Sequence, residues 1–420
     1  MIFVLHGLRM DVDKCKCDIL YGQLIVLGFN GRIPFETGDQ RLASKFLLKQ
    51  REFGNAETPV KQQCYESAKN SCDFQSTSVY SVAYVIGEKR TCVVKYKTLA
   101  DVDMFQIGRS SHVNDYVMMD IVPNAKTASD CILTRSTISR FACRIYVDRC
   151  PPYTARIYAS GFDKSKNIAL GSKAIKCIQD DGMMDGLTTN GVLILHPNNN
   201  SDTSTGPGIW REVSVAGNMY SLRKARSDRN AGKRIAGESN VLVDGTLIDL
   251  CGTTLLWKSK EGMERMPTMC DIDDARHKLN ATRPQCPIGL MTLQFPSNPY
   301  RSSHHDHSKT PYVYLKCGHV HGYHTWNNAQ KVEEEQRICP VCRQVGPYTK
   351  LQLGYEAALW VDCKPDYFAF VPCGHVCSQA TARFWSQVPL PHGCHAFRAA
   401  CPFCGTPLQN SNGYVKLIFS

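Results

Sequence analysis

The sequence predicts a mainly β N-terminal region, a β-sandwich or barrel, followed by a small α+β domain organised by zinc. Short runs of β-branched and aromatic residues fill positions 21–257 with no helical pattern between them, which argues for a sandwich or barrel. Two runs near the C-terminus are near-copies with metal-ligand spacing. One is Cys317-Gly318-His319-Val320 with Cys339-Pro340-Val341-Cys342; the other is Cys373-Gly374-His375-Val376 with Cys401-Pro402-Phe403-Cys404. A single helical segment separates the two regions.

In chain order, the start MIFVLHGLRMDVDKC has an apolar run too short for a leader, and acidic residues follow at once. Residues 1–17 are expected to be disordered. Strands are predicted at 22–31, 79–87, 91–98, 141–148, 154–160, 191–197 and 253–259, most ending at Gly, Asp, Asn or Pro. Together 18–260 is the β-region. A helical linker, 261–283, follows; its pattern over 269–284 starts at an Asp271 cap and stops before Pro284. Residues 284–420 form the double zinc domain.

Three polar stretches interrupt this order. Residues 198–208 are a turn-rich surface loop. Residues 223–234 hold six basic side chains against one acidic; with no aromatics interleaved they read as a solvated loop before an anion-binding strip. The His-rich 302–308 reads as a polar insertion before a third metal site.

Composition narrows the class. The formal charge of +11 permits acidic partners without choosing one. The 21 cysteines are odd in number, and upstream ones such as Cys92, Cys143 and Cys251 sit in apolar runs, as buried free thiols of a reducing compartment do. No run of about 18 apolar residues occurs, so no membrane partner is expected. The cytoplasm is the default location.

Each C-x-H…C-x2-C set supplies three sulfurs and one imidazole, a full tetrahedral shell that leaves no open position. Two structural zinc ions are therefore expected, on Cys317, His319, Cys339, Cys342, Cys373, His375, Cys401 and Cys404. Whether each repeat closes its own site or the pairs interleave stays open. His321, His324, Cys377, Cys394 and His395 read as packing around the metals. The stretch CPIGL (286–290)…CGHVHGYHTW…CPVCR resembles a RING finger, with Gly289 and Gly322 where two ligands would stand. The resemblance implies that Ile288, Trp326 and Pro340 form a groove for a ubiquitin-conjugating enzyme and that Arg343 contacts ubiquitin. The bland alternative is that Ile288 and Trp326 fill a thin core.

Gly108-Arg109-Ser110, Ile138-Ser139-Arg140-Phe141-Ala142 and Thr188-Thr189-Asn190-Gly191 resemble the loops of a forkhead-associated (FHA) domain. By that match Arg109 and Ser139 hold a phosphothreonine, Arg140 assists, and Thr189 and Asn190 grip phosphate and peptide. Ala142 stands where the family has His. Joined, the two parts resemble the Pellino family over residues 20–420, in runs such as DMFQIGRS (103–110), PYTARIYASGFDKSKNIALG (152–171) and WSQVPLPHGCHAFRAACPFC (385–404). The resemblance implies that 18–260 is an FHA sandwich with an appended wing, to which the part up to about Lys97 partly belongs, in a ubiquitin ligase that binds phosphorylated interleukin-1-receptor-associated kinases of Toll and interleukin-1 receptor signalling. Its other partners are a conjugating enzyme and ubiquitin, and catalysis is by positioning. A phosphothreonine-binding adaptor with a structural zinc domain is the alternative. A nucleic-acid partner is disfavoured by Glu333-Glu334-Glu335 between the ligand pairs.

Overall fold

A computed structural model of the chain describes residues 19–28, 45–66, 79–87, 90–118, 136–197, 208–296, 309–324, 337–392 and 396–419. The predicted segments 1–17, 302–308 and nearly all of 198–208 lie outside these, as do Trp326, Glu333, Glu334, Glu335, Cys394 and His395.

All seven predicted strands form, each within a residue or two of its expected ends except the first, which spans Leu20–Gly28. Three of them, Leu20–Gly28, Val192–Leu195 and Thr254–Ser259, lie in a seven-stranded sheet with the order Met219–Ser221, Arg211–Val213, Val192–Leu195, Leu247–Asp249, Thr254–Ser259, Leu20–Gly28, Lys45–Lys49. Two four-stranded sheets accompany it. One contains Val102–Gly108, Cys143–Asp148 and Ala155–Ala159; the other, the wing, contains Ala56–Tyr65, Ser81–Ile86 and Arg90–Leu99.

Register explains the burial of the large sheet on both faces. Val26, Leu255, Ile248 and Ile194 pair across four neighbouring strands and face the sandwich core. Their immediate neighbours Ile25, Leu256, Leu247 and Leu195 pair in the same way and face the opposite side, because successive side chains alternate. That outer stripe is also buried, in a second apolar cluster that includes Leu359, Phe370, Val376 and Trp385 of the C-terminal region. Strands buried on both faces read as continuous apolar runs, as Leu24–Leu27 and Val192–Leu195 do. Each side chain so buried contributes about 1.5–3 kcal/mol.

The helical segment splits in two. Helix α1 (Lys260–Arg265) lies against the strands Leu20–Gly28 and Thr254–Ser259. Helix α2 (Met269–Ala281) buries Ile272, Ala275 and Leu279, and its Ala275 carbonyl accepts from the Tyr367 hydroxyl at 3.1 Å. The expected cap at Asp271 is corrected to Thr268: Asp271 sits three residues in and completes a capping box, its carboxylate accepting from the Thr268 amide at 2.8 Å. No described helix is long and apolar enough to cross a membrane.

A second correction concerns Cys92. It is not a free thiol but disulfide-bonded to Cys64, which strand pairing places directly opposite it, with the Cα atoms 4.0 Å apart. A separation of 28 residues conceals that register. Cys143 is buried and free, as expected, and Cys251 is buried.

The wing carries a buried acid. Glu57 accepts from the Thr98 hydroxyl at 3.3 Å, and burial pushes its carboxyl up to about 7 against the opposing pull of Thr98 and Lys166. The folded value lies above the unfolded one, so this contribution is complete below about pH 4.5 and is lost as pH rises through about 7. Glu57→Gln is expected to remove that slope. Thermal melts of both proteins at about pH 5 and about pH 8 measure it; an unaltered slope contradicts the assignment.

Candidate metal centres and anion-binding loops

The Cys/His repeats fold into two clusters, each from a single repeat. The donor atoms of Cys317, His319, Cys339 and Cys342 all lie within 4.8 Å of one another, and so do those of Cys373, His375, Cys401 and Cys404. A tetrahedral site with metal–sulfur bonds of ~2.3 Å separates its donors by about 3.8 Å, so both sets fit one ion each. Nδ1 of each histidine turns to a cysteine: His319 to Cys339 Sγ at 3.7 Å, and His375 to Cys373 Sγ at 3.4 Å. Burial pushes the Cys317 thiol up to about 12 and the Cys401 thiol well above its usual range. Hydrogen bonds with Cys373 and Cys401 hold Cys404 far below it. Each set therefore retains protons that a bound ion would displace.

Backbone turns place the sulfurs. In Cys339-Pro340-Val341-Cys342-Arg343 the Arg343 amide donates to the Cys339 carbonyl at 2.7 Å, and Cys339 donates to Gln344 at 2.9 Å. Cys401 to Gly405 repeats both bonds at 2.7 and 2.9 Å. So does Cys286-Pro287-Ile288-Gly289-Leu290, at 2.9 and 2.9 Å. The closing residues Leu290, Arg343 and Gly405 all have positive φ, at 53°, 61° and 72°. The chain thus makes the same knuckle three times, and in the first it lacks the second thiol. There the Gly289 amide donates to Cys286 Sγ at 3.3 Å instead.

Aromatic packing surrounds Gly322, one of the two positions where a RING ligand would stand. The Tyr314 hydroxyl and His324 Nε2 are 3.0 Å apart, Tyr348 donates to the Gly322 carbonyl at 2.6 Å, and Arg337 lies over the Tyr348 ring while donating to the His324 carbonyl. His321 is buried beside Cys339, and Cys377 is a buried free thiol. Ile288 does not fill a core: it is 47% exposed, and Val341 at the next knuckle is 46% exposed. Pro340 is half-buried and Arg343 is exposed.

At the other end of the chain three loops converge. Arg109 donates its amide to the Ser139 carbonyl at 3.1 Å, and Ser110 to that of Arg140 at 3.2 Å. A Cβ on Gly108 would lie 2.3 Å from the Arg140 carbonyl oxygen, so only glycine permits this approach. Asn190 Nδ2 donates to the Thr137 carbonyl at 2.8 Å and to Ser139 Oγ at 3.1 Å, leaving its Oδ1 to accept from a ligand. The side chains of Arg109, Arg140 and Thr189 are exposed.

Sequence reasoning missed the residues that hold these loops. Asn114 Nδ2 lies 2.7 Å from both the Ser110 and Arg140 carbonyls. The basic stretch is not uniformly solvated. Arg223 pairs with buried Glu212 at 2.7 Å and donates to the Thr188 carbonyl at 3.1 Å. Arg226 pairs with buried Asp249 and donates to the Asn190 carbonyl at 2.9 Å. These two arginines fasten the Thr188–Gly191 turn from behind. Buried acids far off in sequence attract them, and no local pattern records that.

Comparison with known proteins fits both ends of this geometry. A profile described as the Pellino FHA domain matches residues 12–275, and one described as the Pellino RING domain matches residues 279–420. The chain belongs to the Pellino family. E3 ubiquitin-protein ligase pellino homolog 2 of Homo sapiens is 49% identical, with 96% of each chain covered. Pellino homolog 3 of Homo sapiens is 47% identical over 99% of this chain and 93% of that protein. Protein pellino of Drosophila melanogaster is 46% identical over 96% and 94%. The sandwich is therefore a Pellino FHA domain and the Cys/His region a Pellino RING domain. With that RING domain, this Pellino-family chain is a RING-type ubiquitin-protein ligase, which sets aside the adaptor reading.

Proposed function

We propose that this ligase captures a phosphothreonine of a kinase in Toll or interleukin-1 receptor signalling and promotes polyubiquitination of that kinase, in the cytoplasm. Arg109 and Ser139 hold the phosphate, Arg140 assists, and Thr189 and Asn190 hold phosphate and peptide backbone. Both Cys/His clusters take zinc. With four protein donors each these ions are structural, and what they supply is rigidity of the knuckles. Ile288, Trp326 and Pro340 dock a charged ubiquitin-conjugating enzyme, and Arg343 contacts ubiquitin. No residue of this chain forms a covalent intermediate; the substrate lysine is brought to a thioester held on the neighbouring domain.

The observation that carries the phosphate reading is the convergence of three separate loops, through the Arg109–Ser139 and Asn190–Ser139 hydrogen bonds, on one end of the sandwich. Exposed Ile288 and Val341 at the knuckle tips support the docking surface. The test is chain formation by the purified protein with ubiquitin, activating enzyme and a panel of conjugating enzymes. Chains are expected from the wild type and none from Cys339→Ala. Chains from that variant would remove the metal-dependent docking surface from the reading.

A further inference from the structure

The two domains share an apolar layer that a flexibly tethered pair of modules would not need. The outer face of the sandwich sheet, with Ile25, Leu195, Leu247 and Leu256, is buried in one cluster with core residues of both Cys/His repeats, Val320 of the first and Val376 and Trp385 of the second among them. Three further contacts, made by two side chains of the sandwich, cross the boundary. Trp210 is 4% exposed; its indole N–H donates to the Pro389 carbonyl at 2.7 Å, and its ring lies 5.9 Å from that of Phe397. At the edge strand, Lys45 pairs with buried Glu356 at 2.8 Å. The connection itself is short: the α1 C-cap Met266 and the α2 N-cap Thr268 are separated by Pro267 alone, and α2 packs on the RING domain.

All three residues reached by these specific contacts, Glu356, Pro389 and Phe397, lie after the first repeat. The apolar knuckle tips Ile288 and Val341 belong to the first repeat and stay exposed. The repeats are thus alike in their metal sets and different in their surroundings.

We propose that the two repeats divide the work: the first receives the conjugating enzyme, while the second is a rigid adaptor clamped to the FHA sheet, with Trp210 as the positioning residue that fixes the direction from bound phosphothreonine to thioester. This rests on the function proposed above. A flexible link would present lysines at many spacings through effective concentration alone. A rigid link presents one spacing and gains from fixed orientation.

The probe is a series of phosphothreonine peptides, each with one lysine beyond a polyproline spacer, which extends about 3.1 Å per residue. Ubiquitin transfer to each peptide is measured with the full-length protein, alongside peptide binding and discharge of the conjugating enzyme to free lysine. The wild type is expected to favour one spacing window by about tenfold or more. Trp210→Ala is expected to flatten the profile by lowering kcat at the best spacing, with peptide KM and free-lysine discharge unchanged. Trp210→Phe, which keeps a ring against Phe397, is expected to restore much of the preference.

A flat wild-type profile overturns the proposal, and so does a Trp210→Ala profile as sharp as the wild type's. If Trp210→Ala loses discharge or peptide binding through misfolding, the wild-type profile and Trp210→Phe decide. Absence of peptide binding or of discharge in the wild type would instead overturn the functional reading beneath, and this proposal with it.

Discussion

Cys401→Ser is expected to lose one of two metal equivalents, unfold the RING domain and abolish ubiquitin transfer. Cys401 is fully buried, and both its amide and its carbonyl close the knuckle turn, so sulfur and backbone are held together. A hydroxyl in its place is a poor metal donor. Structural zinc contributes apparent free energies of about 10–16 kcal/mol in small domains, which matches or exceeds the about 5–15 kcal/mol that holds an ordinary domain folded. Among the described residues the repeats have short strands and one short helix, α3 (Gln379–Gln387), so little else compensates. Loss of this domain also uncovers Ile25, Leu195, Leu247 and Leu256, so the variant is expected to aggregate. Metal content, near-ultraviolet circular dichroism and the fluorescence of buried Trp385 report the change. Cys286→Ala serves as the contrast. Cys286 is equally buried and sits in an equivalent knuckle but belongs to neither cluster, so that variant should keep both metals. Retention of two equivalents by Cys401→Ser would refute its role as a ligand.

Arg109→Ala is expected to weaken phosphothreonine-peptide binding on the order of a hundredfold or more while leaving transfer of ubiquitin to the ligase itself intact. The size follows from two charge-assisted hydrogen bonds to phosphate, each about 1.5–3 kcal/mol. The separation of effects follows from geometry. The Arg109 side chain is exposed, and the bond that ties its loop to Ser139 comes from the backbone amide, which alanine keeps. Stability should therefore change little. Arg226→Ala offers a comparison by another route: it strands the buried Asp249 carboxylate and frees the Asn190 carbonyl, so affinity and stability should fall together. Titration calorimetry with paired phosphorylated and unphosphorylated peptides distinguishes the two. An Arg109→Ala protein that binds the phosphopeptide as the wild type does would sink the phosphate assignment.

The strands, the α2 helix and the eight Cys/His residues of the two clusters were legible in the sequence because each depends on neighbours or on a repeated spacing. Gly289 was legible as a missing ligand too, although the survival of its knuckle was not, since that rests on backbone bonds that Pro287 and Leu290 permit without a thiol. The α2 cap slipped by three residues because Thr268 and Asp271 cap reciprocally, and either alone fits the pattern.

By itself, then, the sequence determined the two Cys/His sets and the mainly β class: residue identity and side-chain alternation are local properties. Only the tertiary structure decided which groups meet. It set Cys64 opposite Cys92, drew Arg223 and Arg226 onto buried acids, and used the second face of the apolar runs at Leu24–Leu27 and Val192–Leu195 to seat the RING domain. A continuous apolar run announces that both faces are covered, but what covers them is chosen by packing between segments more than a hundred residues apart, as Trp210 and Pro389 are.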